Sequence, residues 1–205
     1  MMAAMDCLLT PDQKALKEAI RSFVALEVPP LRSVAAPDRR IADVLILKLG
    51  EFLRGREGRP EIDGSVPLSG VETVMILEEV LKGLPAAGSK PAAGRLFEGL
   101  SPELRSSAAL LGSAQGLLAP CLGRAFGRRG LEASGHDCRA LDQELADVLS
   151  AIEAARLMTY RAAILEDEGR PDEKEAAEAK RQAEKLASRA VDLAALIKKG
   201  EDHET

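Results

Sequence analysis

Residues Ala140 to Glu168 read ALDQELADVLSAIEAARLMTYRAAILEDE, and this stretch decides the fold. Leu141, Leu145, Val148, Ile152, Ala155, Thr159 and Ala163 follow one another at steps of three and four, the apolar stripe of an amphipathic helix. Asp137 stands ahead of the run as an N-cap, while Gly169 and Pro171 supply the left-handed stop and the residue that cannot continue. At about 1.5 Å per residue the helix is on the order of 45 Å long. Its seam is narrow and long, so it needs partner helices along the whole of it.

The next helix predicted runs from about Glu173 to Lys199. Asp172 and Glu175 make a capping-box-like start, Lys198 and Lys199 fall in the last turn where the helix dipole favours cations, and Gly200 follows. Ala176, Ala179, Ala183, Ala187, Ala190 and Ala194 form a seam of small residues. With only Gly169–Asp172 between them, the two helices should fold back as an antiparallel hairpin.

Upstream, Thr10-Pro11-Asp12-Gln13 is a capping box with proline at the first helical position. The helix it opens has the face Leu16, Ile20, Phe23 and Val24, and is expected to end at Pro29-Pro30. A second helix opens at Pro37-Asp38 with the face Ile41, Leu45, Leu49 and Phe52. Arg54–Pro67, rich in Gly and Pro, reads as a loop. Ser69 caps a third helix through Val71, Val74, Met75, Leu77 and Val80. Gly83–Gly99 reads as a linker with one helical turn at Arg95–Glu98. Ser101-Pro102-Glu103 then starts a fourth helix running toward Arg128, which Pro120 should kink or split and in which Gly112 and Gly116 invite a close backbone neighbour. The expected class is all-α: an N-terminal helical unit over 1–82, a linker over 83–100, an up-and-down helical bundle over 101–200 and a tail over 201–205.

Composition agrees with this class. Aromatic residues make up 2% of the chain and Trp is absent, so the core must be built of Ala, Leu, Val and Ile, which favours close helix packing. No sustained alternation of β-branched residues predicts a strand. The net charge of −5 argues against nucleic acid as a partner, because phosphate binding needs a basic face. Three scattered cysteines, Cys7, Cys121 and Cys138, suggest a reducing cytoplasm, and neither an export signal nor a membrane span is expected.

Clusters of reactive side chains are few. Gly135-His136-Asp137-Cys138 gathers three ligand types, but adjacent residues cannot all face one ion, so it reads as a turn and cap and no metal site is expected. Glu78-Glu79 and Glu166-Asp167-Glu168 read as solvated carboxylates on helix surfaces. Arg124, Arg128 and Arg129 cluster at a helix end, where solvation or the helix dipole explains them more simply than a bound phosphate does.

Three stretches together resemble the acyl-CoA dehydrogenase family. They are Leu9–Leu16 with Ile20-Arg21-Ser22-Phe23, then Gly112-Ser113-Ala114-Gln115-Gly116, and most specifically Leu145-Ala146-Asp147-Val148 with Ile152–Ala163 and Glu175–Lys180. The resemblance implies the two helical ends of a longer protein, between which family members carry a β-barrel domain that covers a flavin. Here the Gly83–Gly99 linker takes that domain's place. The family's Arg-x-x-Phe-Gly motif, which contacts FAD diphosphate across a dimer, falls on Arg128–Glu132. Arg128 matches as the cofactor-binding residue, while Leu131 and Glu132 depart from it. The family's following Phe-Gln pair is Cys138-Arg139. Its His-Gly-Gly loop and the usual catalytic glutamate beyond are expected to be missing after Gly200. One subgroup places the base at the start of the bundle, where Glu103 lies, and proton removal α to a thioester needs such a carboxylate. A carboxylate in a first helical turn is explained more simply by the helix dipole.

The resemblance therefore implies an oligomeric interaction or accessory protein that has lost flavin catalysis. It would act as a homo-oligomer or in a hetero-complex with a full-length acyl-CoA dehydrogenase, with no cofactor in the isolated chain. The alternative is an FAD-dependent acyl-CoA oxidoreductase whose site another chain completes, with Glu103 as base and Arg128 on phosphate. A module that binds acyl-CoA without redox chemistry is a third reading.

Overall fold

The long amphipathic stretch forms one helix, Cys138–Asp167, with its stripe turned inward: Leu145, Val148, Ile152, Ala155, Thr159 and Ala163 are all buried. The computed structural model describes residues 9–33, 38–55, 68–84, 97, 99–127 and 138–202. Among them lie six helices and no strand. They are α1 (Pro11–Ser33), α2 (Asp38–Arg54), α3 (Gly70–Gly83), α4 (Pro102–Gly127), α5 (Cys138–Asp167) and α6 (Glu173–Asp202). The expected Asp137 cap and the Gly135–Asp137 part of the ligand cluster lie outside the described residues.

The turn after α5 ends it as the sequence predicts. Gly169 has φ +68°, its amide bonds to the Glu166 carbonyl (3.0 Å), and the Arg170 amide reaches back to Leu165 (2.8 Å). This is the Schellman pattern, in which a left-handed glycine lets two late amides satisfy orphan carbonyls. Asp172 then caps α6, its Oδ1 accepting from the Lys174 and Glu175 amides. The late part of α5 (Tyr160, Ala162, Ala163) shares a core with early α6 (Ala176, Ala179). Early α5 (Leu145, Val148, Ile152) meets late α6 (Ala183, Leu186, Ala190, Leu193, Ile197), so the pair is antiparallel. Arg161 to Glu175, 2.8 Å, bridges the turn end. α4 runs opposite to α5, its early Ser107 lying 2.6 Å from late Thr159, and completes an up, down, up bundle.

α3 lies against this bundle. Its start is held by Ser69, which accepts from the Glu72 amide while Glu72 accepts from Ser69 in return. A second cap comes from far along the chain: both Asp167 oxygens accept from α3, at Gly70 (2.5 Å) and Val71 (3.1 Å). The neighbouring Glu166 takes the Ser101 amide ahead of α4 (3.3 Å). Backbone contact is closest at Gly112 of α4, where a Cβ would lie 2.3 Å from the Glu78 carbonyl oxygen. On its other side α3 carries α1, whose Val24 side chain covers Gly83, and α2 closes over α1 with Phe23 and Phe52 at 5.0 Å. One apolar core accordingly runs from Leu16, Ile20 and Leu45 through Val74 and Leu77 to Leu104, Ala108 and Tyr160.

Three expectations need correction. α1 does not end at Pro29-Pro30 but continues to Ser33. Both prolines are exposed at its end, where water can take the carbonyls they free, and Val28 and Leu31 on the inner side hold the last turns to the core. α4 is not split at Pro120, which also lies on an exposed stretch, beside Ala119. Glu78 and Glu79 are not surface carboxylates: at 1% and 4% exposure they lie in the interior. In the connection, Phe97 and Leu100 are buried, joined by a Leu100 amide to Phe97 carbonyl bond of 3.4 Å.

Gly112→Ala should force α3 and α4 apart and lower unfolding free energy by about 1–3 kcal/mol, the usual cost of overpacking. Gly50→Ala, in α2 with only the tip of Arg54 at 3.9 Å, should instead stabilise by about 0.5–1 kcal/mol. Urea denaturation of the two variants distinguishes these opposite signs.

Candidate functional site

Where α3, α4 and α5 meet, the interior is ionic. Glu78 arrives there because α3 is apolar nearly all round and therefore buried all round. Arg156 projects from α5 on the side next to Tyr160, one helical turn on. Its Nε and Nη2 both reach Glu78 Oε1, at 2.7 and 2.5 Å, and its Nη1 reaches Glu153 at 2.9 Å. Gln115 of α4 donates to the same Glu78 oxygen, and the Tyr160 hydroxyl donates to Oε2 at 3.2 Å. Three side chains from α4 and α5 thus converge on the one carboxylate that α3 supplies.

Burial works against the charge on Arg156, but the carboxylates of Glu78 and Glu153 outweigh it and hold the guanidinium above its ordinary pKa. Burial, then the charge of Glu78, pushes the Tyr160 phenol well above its ordinary value, with Arg156 opposing. The hydroxyl is therefore a committed donor. A second pairing adjoins on the α1 side: Glu79 lies 3.0 Å from Arg21 and 3.9 Å from Lys82. The cluster's chemistry is mutual neutralisation. An unpaired charge in such an interior would cost several kcal/mol, so each member fixes the others.

Glu103 occupies the first turn of α4 and is half-exposed. Arg128 lies outside the described residues, as do the side chains at 124 and 138–139. Gly127, the residue before Arg128, closes α4, so along the helix it is on the order of 36 Å from Glu103 at about 1.5 Å per residue. Glu103 and the last described residue before Arg128 thus lie at opposite ends of α4. Among the described residues no three of His, Cys, Asp and Glu are grouped to hold a metal ion, and no helix is long and apolar enough to cross a membrane. A cavity of about 300 Å³ opens between the start of α1 and the end of α5. Leu9, Val71, Ile164 and the Tyr160 ring wall it, with Thr10, Gln13 and Asp167 at the rim.

Sequence reasoning missed the ionic cluster because it read Glu78-Glu79 as a solvated pair. The available signal was the company they keep: Val71 to Leu81 holds apolar residues on every face, which leaves no wet side for either glutamate.

Residues 104–198 match the family model described as acyl-CoA dehydrogenase, C-terminal domain. The mitochondrial short/branched chain specific acyl-CoA dehydrogenase of Bos taurus is 36% identical over 121 residues, 57% of this chain and 26% of that protein. That of Rattus norvegicus is 36% identical over 116 residues, with the same two shares. The mitochondrial short-chain specific acyl-CoA dehydrogenase of Bos taurus is 36% identical over 113 residues, 55% of this chain and 27% of that protein. The chain spans about a quarter of the length of these curated relatives. No solved structure matches significantly.

Two outcomes follow from the cluster. Arg156→Met leaves Glu78 buried without its counter-charge and should cost about 3–5 kcal/mol, while adding Glu78→Gln should restore part of that loss; a denaturation cycle in which the two effects simply add refutes the coupling. Tyr160 is the sole tyrosine, so phenolate absorbance in the near ultraviolet reports on it alone. Its folded pKa is raised, so its stabilising contribution is complete below the unfolded value near ~10 and is lost as pH rises through the folded value. Alkaline titration should show phenolate appearing late and together with unfolding; early, reversible titration in the folded protein contradicts this.

Proposed function

We propose that this chain, whose residues 104–198 match the C-terminal domain of acyl-CoA dehydrogenases, is a member of that family in which flavin-dependent catalysis has been lost and assembly kept. It acts as an oligomeric interaction or accessory subunit, as a homo-oligomer or beside a full-length acyl-CoA dehydrogenase. One observation carries this reading: α3 passes into α4 through residues 84–101 alone, while the two helices touch backbone to backbone at Glu78 and Gly112. A connection of that length falls short of a domain, which takes on the order of 50 residues or more. The β domain that the family resemblance places between these helices, over the flavin, therefore has no room in this connection. The departures at Leu131, Glu132, Cys138 and Arg139 from the family's flavin-contacting residues support the same reading. So do the outward side chains of the hairpin, Leu157, Val191 and Leu196, each about half exposed.

The alternative is an FAD-dependent oxidoreductase acting on an acyl thioester, with Glu103 as base and Arg128 on phosphate. It is favoured by the half-exposed position of Glu103 at the start of α4. The length of α4 between Glu103 and Gly127 means that such a site would draw its two ends from different chains, which makes it depend on assembly as well.

Light scattering should show a dimer or larger species, or a dehydrogenase subunit should co-purify. Val191→Glu with Leu196→Glu, both at exposed positions, should reduce the assembly without lowering stability by more than about 0.5 kcal/mol. Titration with FAD should leave the protein colourless. A monomer with no partner overturns the assembly reading, and stoichiometric uptake of FAD with reduction by an acyl-CoA establishes the alternative.

A further inference from the structure

We draw no further inference here: the strongest candidate, the cavity beside Tyr160 between the start of α1 and the end of α5, carries nothing, because Thr10, Gln13 and Asp167 on its rim are already engaged in the caps of α1 and α3 and nothing in the structure shows what covers its apolar wall.

Discussion

A guanidinium buried between two carboxylates is the constraint on which the arrangement of these helices depends. Arg156 is 2% exposed and Glu78 is 1% exposed, and neither tolerates the interior without the other. Apolar contacts are non-directional and by themselves define the height of α3 along the bundle less sharply than a charge pair does. A charge pair fixed at 2.5 to 2.7 Å accepts one height. Gln115 and Tyr160 narrow the choice further, because each must also reach Glu78.

Close approach makes that pairing geometrically available. Gly112 lets the backbone of α3 come within contact of α4 at the level of Glu78 itself. A side chain there would hold the helices apart and move the carboxylate away from Gln115. Small residues serve α6 in the same way: Ala176, Ala179, Ala183 and Ala190 are all buried, so α6 lies close to its neighbours in a core with few aromatic rings.

Much of the fold was legible in the residues. The Thr10 and Ser69 capping boxes, the Asp172 cap, the left-handed Gly169 and the stripe of α5 are local signals, read within a few positions and realised as read. What failed was non-local. Pro29 and Pro30 looked terminal until Val28 and Leu31 found a core to hold them. The Glu78-Glu79 pair looked solvated because its nearest counter-charges in space, Arg156 in α5 and Arg21 in α1, stand far off in sequence. The expected site residues fared differently again: Glu103 is placed but has a helix-dipole explanation of its own, and Arg128 lies outside the described residues. Resemblance located those two positions, and nothing in the local pattern distinguished them.

The carboxylate of Asp167 on the first turn of α3 also orders events in time. Gly70 and Asp167 are separated by 97 positions, so when α3 leaves the ribosome the acceptor for its leading amides has not yet been made. The same holds for Arg156, 78 positions after Glu78. The α5–α6 hairpin, by contrast, closes through a turn of a few residues and can form as soon as it is synthesised, since local contacts form fastest. The α3 segment is therefore made before the residues that complete it, its buried carboxylate waiting on the hairpin that follows.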